Sequence, residues 1–229
     1  MRRMLRLHGR FLPKLGPCSA RPFFFRGRGL ADDAIEIIAR ETVWRGFFRV
    51  DRYRLCHRLF SGAWSAEISR EVLERGSAAA VLLYDPDRDA VVLVEQFRLA
   101  AHLAGFAAWQ TEIVAGIIAP GTAAPDVARR ESVEEAGLAV IGDLVPVHRF
   151  LSSPGGTTES VTLFCGRVDS RGAGGIHGLA DEHEDIRVIV KSYAEAMAML
   201  ADGKIDNGFA LLALHWLARN REDIRRRWA

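Results

Sequence analysis

The sequence predicts an α+β protein in which a small antiparallel β module precedes a larger sheet covered on both faces. Three observations carry this expectation. Apolar and charged residues alternate with period two between Ile35 and Gly76. Two apolar runs, Ala79 to Tyr84 and Ala90 to Val94, flank the turn residues Asp85-Pro86-Asp87. Helical patterning enters later, in one segment ending at Gly137 and two near the C-terminal end.

Composition narrows the classes. With 229 residues the chain has enough length for one large domain or one and a half. An apolar fraction of 49% and a charged fraction of 26% are those of an ordinary globular protein. The net charge of +2 hides an asymmetry, because residues 1 to 28 hold eight of the 31 Lys and Arg and no acid, leaving 23 basic against 29 acidic residues beyond. An acidic body argues against a nucleic-acid partner and leaves a metal-bound nucleotide compatible. No run of 18 apolar residues and no secretory hydrophobic core is present, so a cytoplasmic protein without a membrane partner is expected. Cys18, Cys56 and Cys165 are far apart, with no CxxC spacing or paired histidine to suggest zinc.

Residues 1 to 30 are arginine-rich and broken by Pro13, Pro17 and Pro22, and read as a disordered basic tail. A targeting peptide or a start codon assigned too far upstream are the competing readings. Residues 31 to 76 read as a β domain. Tyr53, Leu55 and Leu59 alternate with Arg52, Arg54 and Arg58, as a half-buried strand requires, and Ser61-Gly62 turns into a further strand near Trp64 to Arg70. A sheet of about three strands seldom buries enough surface alone, so this module needs a partner. Residues 77 to 229 form the main domain. Its hairpin is followed by Glu95-Gln96-Phe97-Arg98, a strand before Gly116, a helix, and strands at Leu144 to Phe150 and Val161 to Val168. Ser153-Pro154-Gly155-Gly156-Thr157 has the composition of a ligand loop. A loop over residues 169 to 180 leads to the acidic turn Asp181 to Asp185 and the strand Ile186 to Val190. Helices near Ser192 to Leu200 and Gly208 to Arg227 close the chain.

The segment Glu112 to Leu138 organises the rest. Pro125 and Asp126 suit a helix first turn, and Gly137 suits the left-handed residue that ends one. Glu131, Glu134 and Glu135 stand at i, i+3 and i+4 and share a helix face. Like charges this close repel unless a cation sits among them, and a hard divalent ion with oxygen ligands is the usual solution. The bland alternative is a solvated acidic face.

Gly116 followed by Arg130-Glu131, Glu134-Glu135, Gly137 and Leu138 resembles the Nudix box, a glycine followed after a fixed gap by REUxEExGU. Two positions depart from it: Thr122 stands in place of a glutamate, and Ser132 in place of an aliphatic residue. Without the glutamate at 122, Arg130 is expected to be less restrained. Beyond the box, EIIARETVWRGFF, YRLCHRLFSG, REVLERG, EQFR, EIVAG, FLSSPGGTTE, GIHGLADEHEDIRV and GKIDN make residues 35 to 208 similar to bacterial ADP-ribose pyrophosphatases of the Nudix superfamily. The resemblance implies an α/β/α sandwich with a mixed sheet, and a small β domain exchanged between the subunits of a homodimer. It implies hydrolysis of ADP-ribose to AMP and ribose 5-phosphate with two or three Mg²⁺ ions, Mn²⁺ being the other candidate. Metal ligation carries over onto the Ala115 carbonyl, Glu131, Glu135 and Glu184, and the general base onto Glu182. Substrate contacts carry over onto Phe47, Phe48, Arg70, Glu71, Arg75, Arg98, Ile117, Ser153 and Glu159. Another nucleotide sugar such as GDP-mannose is the alternative substrate, and a non-catalytic ADP-ribose-binding module the alternative class. The intact glutamates count against the latter.

Overall fold

The computed structural model describes residues 34–229, and the reading of a disordered tail lies outside them. The chain divides between Glu74 and Arg75 into two compact units.

The first unit is an antiparallel sheet in the order β1-β2-β3, with β1 at Ile35–Arg45, β2 at Arg49–His57 and β3 at Ile68–Glu74. β3 begins four residues later than Trp64, where the sequence pattern starts a strand. Trp64 instead makes a single bridge to Arg58, whose guanidinium lies over its ring at 4.5 Å. Asp51 and Cys56 are the two buried residues among those described here. The Asp51 carboxylate accepts hydrogen bonds from Thr42 and from the Arg40 and Arg49 guanidiniums, which is how a buried charge in so thin a layer is satisfied.

The second unit is built on an eight-stranded mixed sheet. Its strands are β4 (Ala78–Asp85), β5 (Ala90–Phe97), β6 (Trp109–Glu112), β7 (Val114–Ile117), β8 (Ile141–Leu151), β9 (Ser160–Arg167), β10 (Ile176–His177) and β11 (Ile186–Ser192). The order β10-β11-β5-β4-β9-β8 carries two side branches, β6 on β5 and β7 on β4. β4 and β9 run parallel, and the other pairs are antiparallel. All eight residues of β4 are buried, as its doubly apolar sequence requires. Ala78, Ala80, Leu82 and Tyr84 pack with residues of α3 (Tyr193–Ala201) and α4 (Gly208–Trp228), among them Ala196, Ala213, Leu214 and Leu217. Ala79, Val81 and Leu83 pack on the opposite face with Val127, Ala128 and Ala136 of α2 (Ala124–Ala136). The result is a helix-sheet-helix layering.

Both C-terminal helices carry their own start signals. Ser192 and Glu195 form a reciprocal capping box on α3, and the Asn207 side chain accepts the N–H groups of Phe209 and Ala210 at the start of α4. A five-residue helix, α1 (Leu99–Leu103), follows β5 without a side-chain cap or a buried residue. Within the second unit β5 pairs with β4 only through Leu83 to Asp85, then leans away to pair with β6, while β7 takes the same edge of β4 at Ala78 to Val81. The sheet therefore forks, and the segment from Glu112 to Gly116 lies in the fork.

Candidate active site

β7 and α2 form the centre of the site. α2 starts after Ala123 with Pro125 in its first turn and ends at Gly137, which takes φ 66° and donates its N–H to the Val133 carbonyl. Ser132 is fully buried, and its hydroxyl donates to the Leu138 carbonyl at 2.6 Å. The departure from an aliphatic residue thus supplies a bond that fastens the helix end. Glu131 and Glu135 are one turn apart and both face β7. A Cβ at Gly116 would stand 1.8 Å from the Glu131 carboxylate, so a side chain there would displace that carboxylate. The Glu135 carboxylate accepts the Ala115 N–H at 3.1 Å.

The third carboxylate comes from the loop before β11. Ile186 pairs with His177, the Gly178 N–H donates to the Glu134 carbonyl, and a Cβ on Gly137 would meet the His177 ring at 2.5 Å. The loop is thereby seated on the end of α2. Glu184 is half-buried, its carboxylate accepting the Leu179 N–H at 3.0 Å. Glu182 closes a short 3-10 turn, Ala180–Glu182, and is exposed.

Electrostatics shows that these groups sense one another. Glu135 is 3% exposed, and burial, with repulsion from Glu131 and Glu184 added, pushes its carboxyl up to about 8 against the Ala115 N–H and Arg98. Glu131 is also raised, first by burial and then by Glu134 and Glu184, with Arg130 acting the other way. With Thr122 in place of a glutamate, Arg130 still has partners. It donates to Glu131 at 2.6 Å and to Glu134, so two carboxylates of its own helix restrain it.

Among the described residues no three acidic, histidine or cysteine side chains converge as ready metal ligands. Glu131 is turned to Arg130, Glu135 to the Ala115 N–H and Glu184 to the Leu179 N–H. The donor set nevertheless fits a hard divalent cation: its side-chain donors are all carboxylate oxygens, and those of Glu131 and Glu135 are crowded and partly desolvated.

The remaining predicted residues separate by unit. Arg98 follows β5 and forms a fork with Glu112, through Nε at 3.0 Å and Nη2 at 2.7 Å. Arg75 pairs with the buried Glu159 at 3.3 Å. Ile117 is exposed at the end of β7, and the exposed Ser153 offers its carbonyl to the N–H groups of Gly156 and Thr157. In the first unit Phe47 is 88% exposed and meets Phe48 edge to face at 4.9 Å. Arg70 there donates to the Ser69 carbonyl, and Glu71 pairs with Arg52. Sequence reasoning passed over Glu112 and His177. A carboxylate opening the apolar run Ile113-Val114 was the available signal for the first, since it needs a cation beside it.

Residues 74–208 match the family model described as NUDIX domain. The chain is 51% identical to an ADP-ribose pyrophosphatase of Escherichia coli over 195 residues, 85% of this chain and 93% of that one. It is 43% identical to an ADP-ribose pyrophosphatase of Haemophilus influenzae over 197 residues, 85% of this chain and 90% of that one. A solved structure titled as an ADP compounds hydrolase superposes with a TM-score of 0.64 at 19% identity, covering 86% of this chain and all of that one, and so shares the fold.

Proposed function

This chain belongs to the NUDIX domain family, and from that premise we propose that it is a metal-dependent hydrolase of the pyrophosphate bond of ADP-ribose, releasing AMP and ribose 5-phosphate. The chemistry is carried by one observation: Glu131 and Glu135 face β7, Glu135 accepts the Ala115 N–H, and the carboxylate of Glu184, from a distant segment, is close enough to add to the upward shift of both. The substrate is supported by the names and identity of the relatives.

In this reading the Ala115 carbonyl, Glu131, Glu135 and Glu184 hold two or three divalent ions, Mg²⁺ being the natural choice for oxygen donors. Bound there, such ions would supply charge neutralisation to a diphosphate and Lewis-acid activation to its hydrolysis. Glu182 is the general base that takes the proton of that water, and its exposure on a short turn leaves it free to reach solvent. Arg75, Arg98 and Arg70 hold anionic oxygens by charge-assisted bonds, and Phe47 stacks on adenine. Phe48, Glu71, Ile117, Ser153 and Glu159 complete the substrate contacts. Because the first unit buries so little, we assign it to pairing with a second copy in a homodimer. No helix among the described residues is long and apolar enough to cross a membrane.

The test is a hydrolysis screen with Mg²⁺ of ADP-ribose against GDP-mannose, ADP-glucose, NADH and diadenosine polyphosphates, read by phosphatase-coupled phosphate release. ADP-ribose is expected to have the highest kcat/KM, and EDTA to abolish turnover. A different nucleotide sugar cleaved more than about tenfold better would replace the substrate assignment.

A further inference from the structure

We propose that Glu112 is a positioning residue for the diphosphate-binding arginine: it holds the Arg98 guanidinium by its Nε–Nη2 edge and leaves Nη1 to the substrate. The inference rests on the reading above that Arg98 meets the diphosphate.

Glu112 lies in the fork of the sheet between β6 and β7, and its side chain is 6% exposed. A carboxylate taken so far out of water has to be paired and bonded. Three donors converge on it. Arg98 Nε donates to one oxygen at 3.0 Å, Arg98 Nη2 to the other at 2.7 Å, and the Gln96 amide to that second oxygen at 3.3 Å. The β5–β6 register brings the three together, with Gln96 opposite Gln110, Val94 opposite Glu112, and the Arg98 N–H on the Ala108 carbonyl.

A salt bridge serving only the core would be dry at both ends. This one is not, because the Arg98 side chain is 44% exposed while its partner is buried. Arg98 also lies near enough to Glu135 and Glu184 to feel both carboxylates in addition to Glu112. A planar fork held on one edge by a buried carboxylate has lost its rotational freedom before any ligand arrives. The remaining Nη1 and the second Nη2 hydrogen then point in a set direction, which suits the non-bridging oxygens of a diphosphate. Preorganisation of this kind lowers the entropy lost on binding and leaves the chemical step alone.

The experiment is a double-mutant cycle on the full chain with Glu112→Gln, Arg98→Lys and their combination, plus Glu112→Asp. Two readouts are taken: steady-state KM and kcat for ADP-ribose with Mg²⁺, and calorimetric binding of ADP in EDTA. Glu112→Gln is expected to raise KM and the ADP Kd about tenfold, the loss of one charge-assisted bond, with kcat within about threefold. In the Arg98→Lys background the same change is expected to add nothing, because the fork it would orient is gone. Glu112→Asp, which keeps the charge on a shorter arm, is expected to lose less, and it carries the cycle if Glu112→Gln does not fold. Independent, multiplying losses in the double variant would overturn the proposal, as would an unchanged KM and Kd or a fall in kcat alone. An enzyme that prefers another nucleotide sugar would remove the substrate reading, and the cycle on ADP binding would still decide the role of Glu112. A wild-type protein that hydrolyses ADP-ribose with Mg²⁺ and binds no ADP in EDTA overturns the proposal for Glu112 and leaves the hydrolase reading standing.

Discussion

Two sheets in this chain are both hydrogen-bonded along their strands and are stabilised very differently. β1 and β2 are paired from Ile35–His57 to Arg45–Arg49, yet none of the eleven residues of β1 is buried, whereas every residue of β4 is. The first unit leaves Ile35, Ile37, Trp44, Phe47 and Phe60 exposed, while the second fills both faces of its sheet with helices. Ladder hydrogen bonds exchange for bonds to water at little net gain, so what covers a sheet decides whether it folds alone. The second unit therefore holds its own core, and the first is a surface in search of one.

The sharpest break in this comparison is to separate the units. A fragment of residues 75–229 is expected to unfold cooperatively on heating, and a peptide of residues 34–74 to show no cooperative transition by circular dichroism. A folded monomeric 34–74 peptide would erase the distinction. Light scattering of the intact chain is expected to report a dimer.

Substitutions sharpen the contrast at the level of chemistry. Glu182→Gln, in the second unit, is expected to lower kcat by about 10² to 10⁴, the range a general base supplies, with little change in the metal requirement. Glu135→Gln is expected to raise the Mg²⁺ concentration for half-maximal rate. Phe47→Ala, in the first unit, is expected to act on KM rather than kcat. Nearly full kcat for Glu182→Gln would move the base elsewhere, with Glu134 next in line.

A smaller effect separates the units by pH. Burial opposes ionisation of Asp51, but the bonds from Thr42 and Arg40 outweigh it and hold its carboxyl below the usual 3.8. Its contribution is present above that value and lost as pH falls through the lowered one. Glu135 has the opposite sign. Raised from 4.5 to about 8, it stabilises the metal-free fold below 4.5 and loses that contribution as pH rises toward 8. In EDTA the second unit is expected to gain about 2 kcal/mol between pH 8 and pH 5, less than the full shift because a carboxylate site rehydrates. The first unit is expected to weaken only below pH 4. Hydrogen exchange at pH 8, 5 and 3 reads both, with Glu135→Gln flattening the first slope and Asp51→Asn the second.

How much of this was legible in the sequence follows from the range of each signal. The β4–β5 hairpin and α2 were legible because turn residues, periodicity and a terminal Gly137 act within a dozen residues. α1 was not, since five exposed residues without a cap leave no period to read. The sequence pattern starts β3 too early because Trp64 has strand composition but makes only one bridge, to Arg58. The shared face of Glu131 and Glu135 followed from their spacing. Glu184 and Glu182 sit two apart in one acidic turn, and nothing local separates them. Only the folded loop makes one half-buried against Leu179 and leaves the other exposed. Glu112 needed the partner that β6 brings to it from the end of β5.

The parallel pairing of β4 with β9 sets a schedule for synthesis. Ala78 meets Val161, and Tyr84 meets Arg167, more than 80 residues further along the chain. β4, buried along its whole length, leaves the ribosome well before its parallel neighbour, and its covering helix α4 ends at Trp228. At 5 to 20 residues per second the wait for β9 alone is roughly 4 to 16 s. Until β9 emerges one edge of β4 lacks its partner strand, and until α4 emerges one face lacks its helix, so a chain stalled between residues 100 and 160 exposes an apolar edge that favours aggregation.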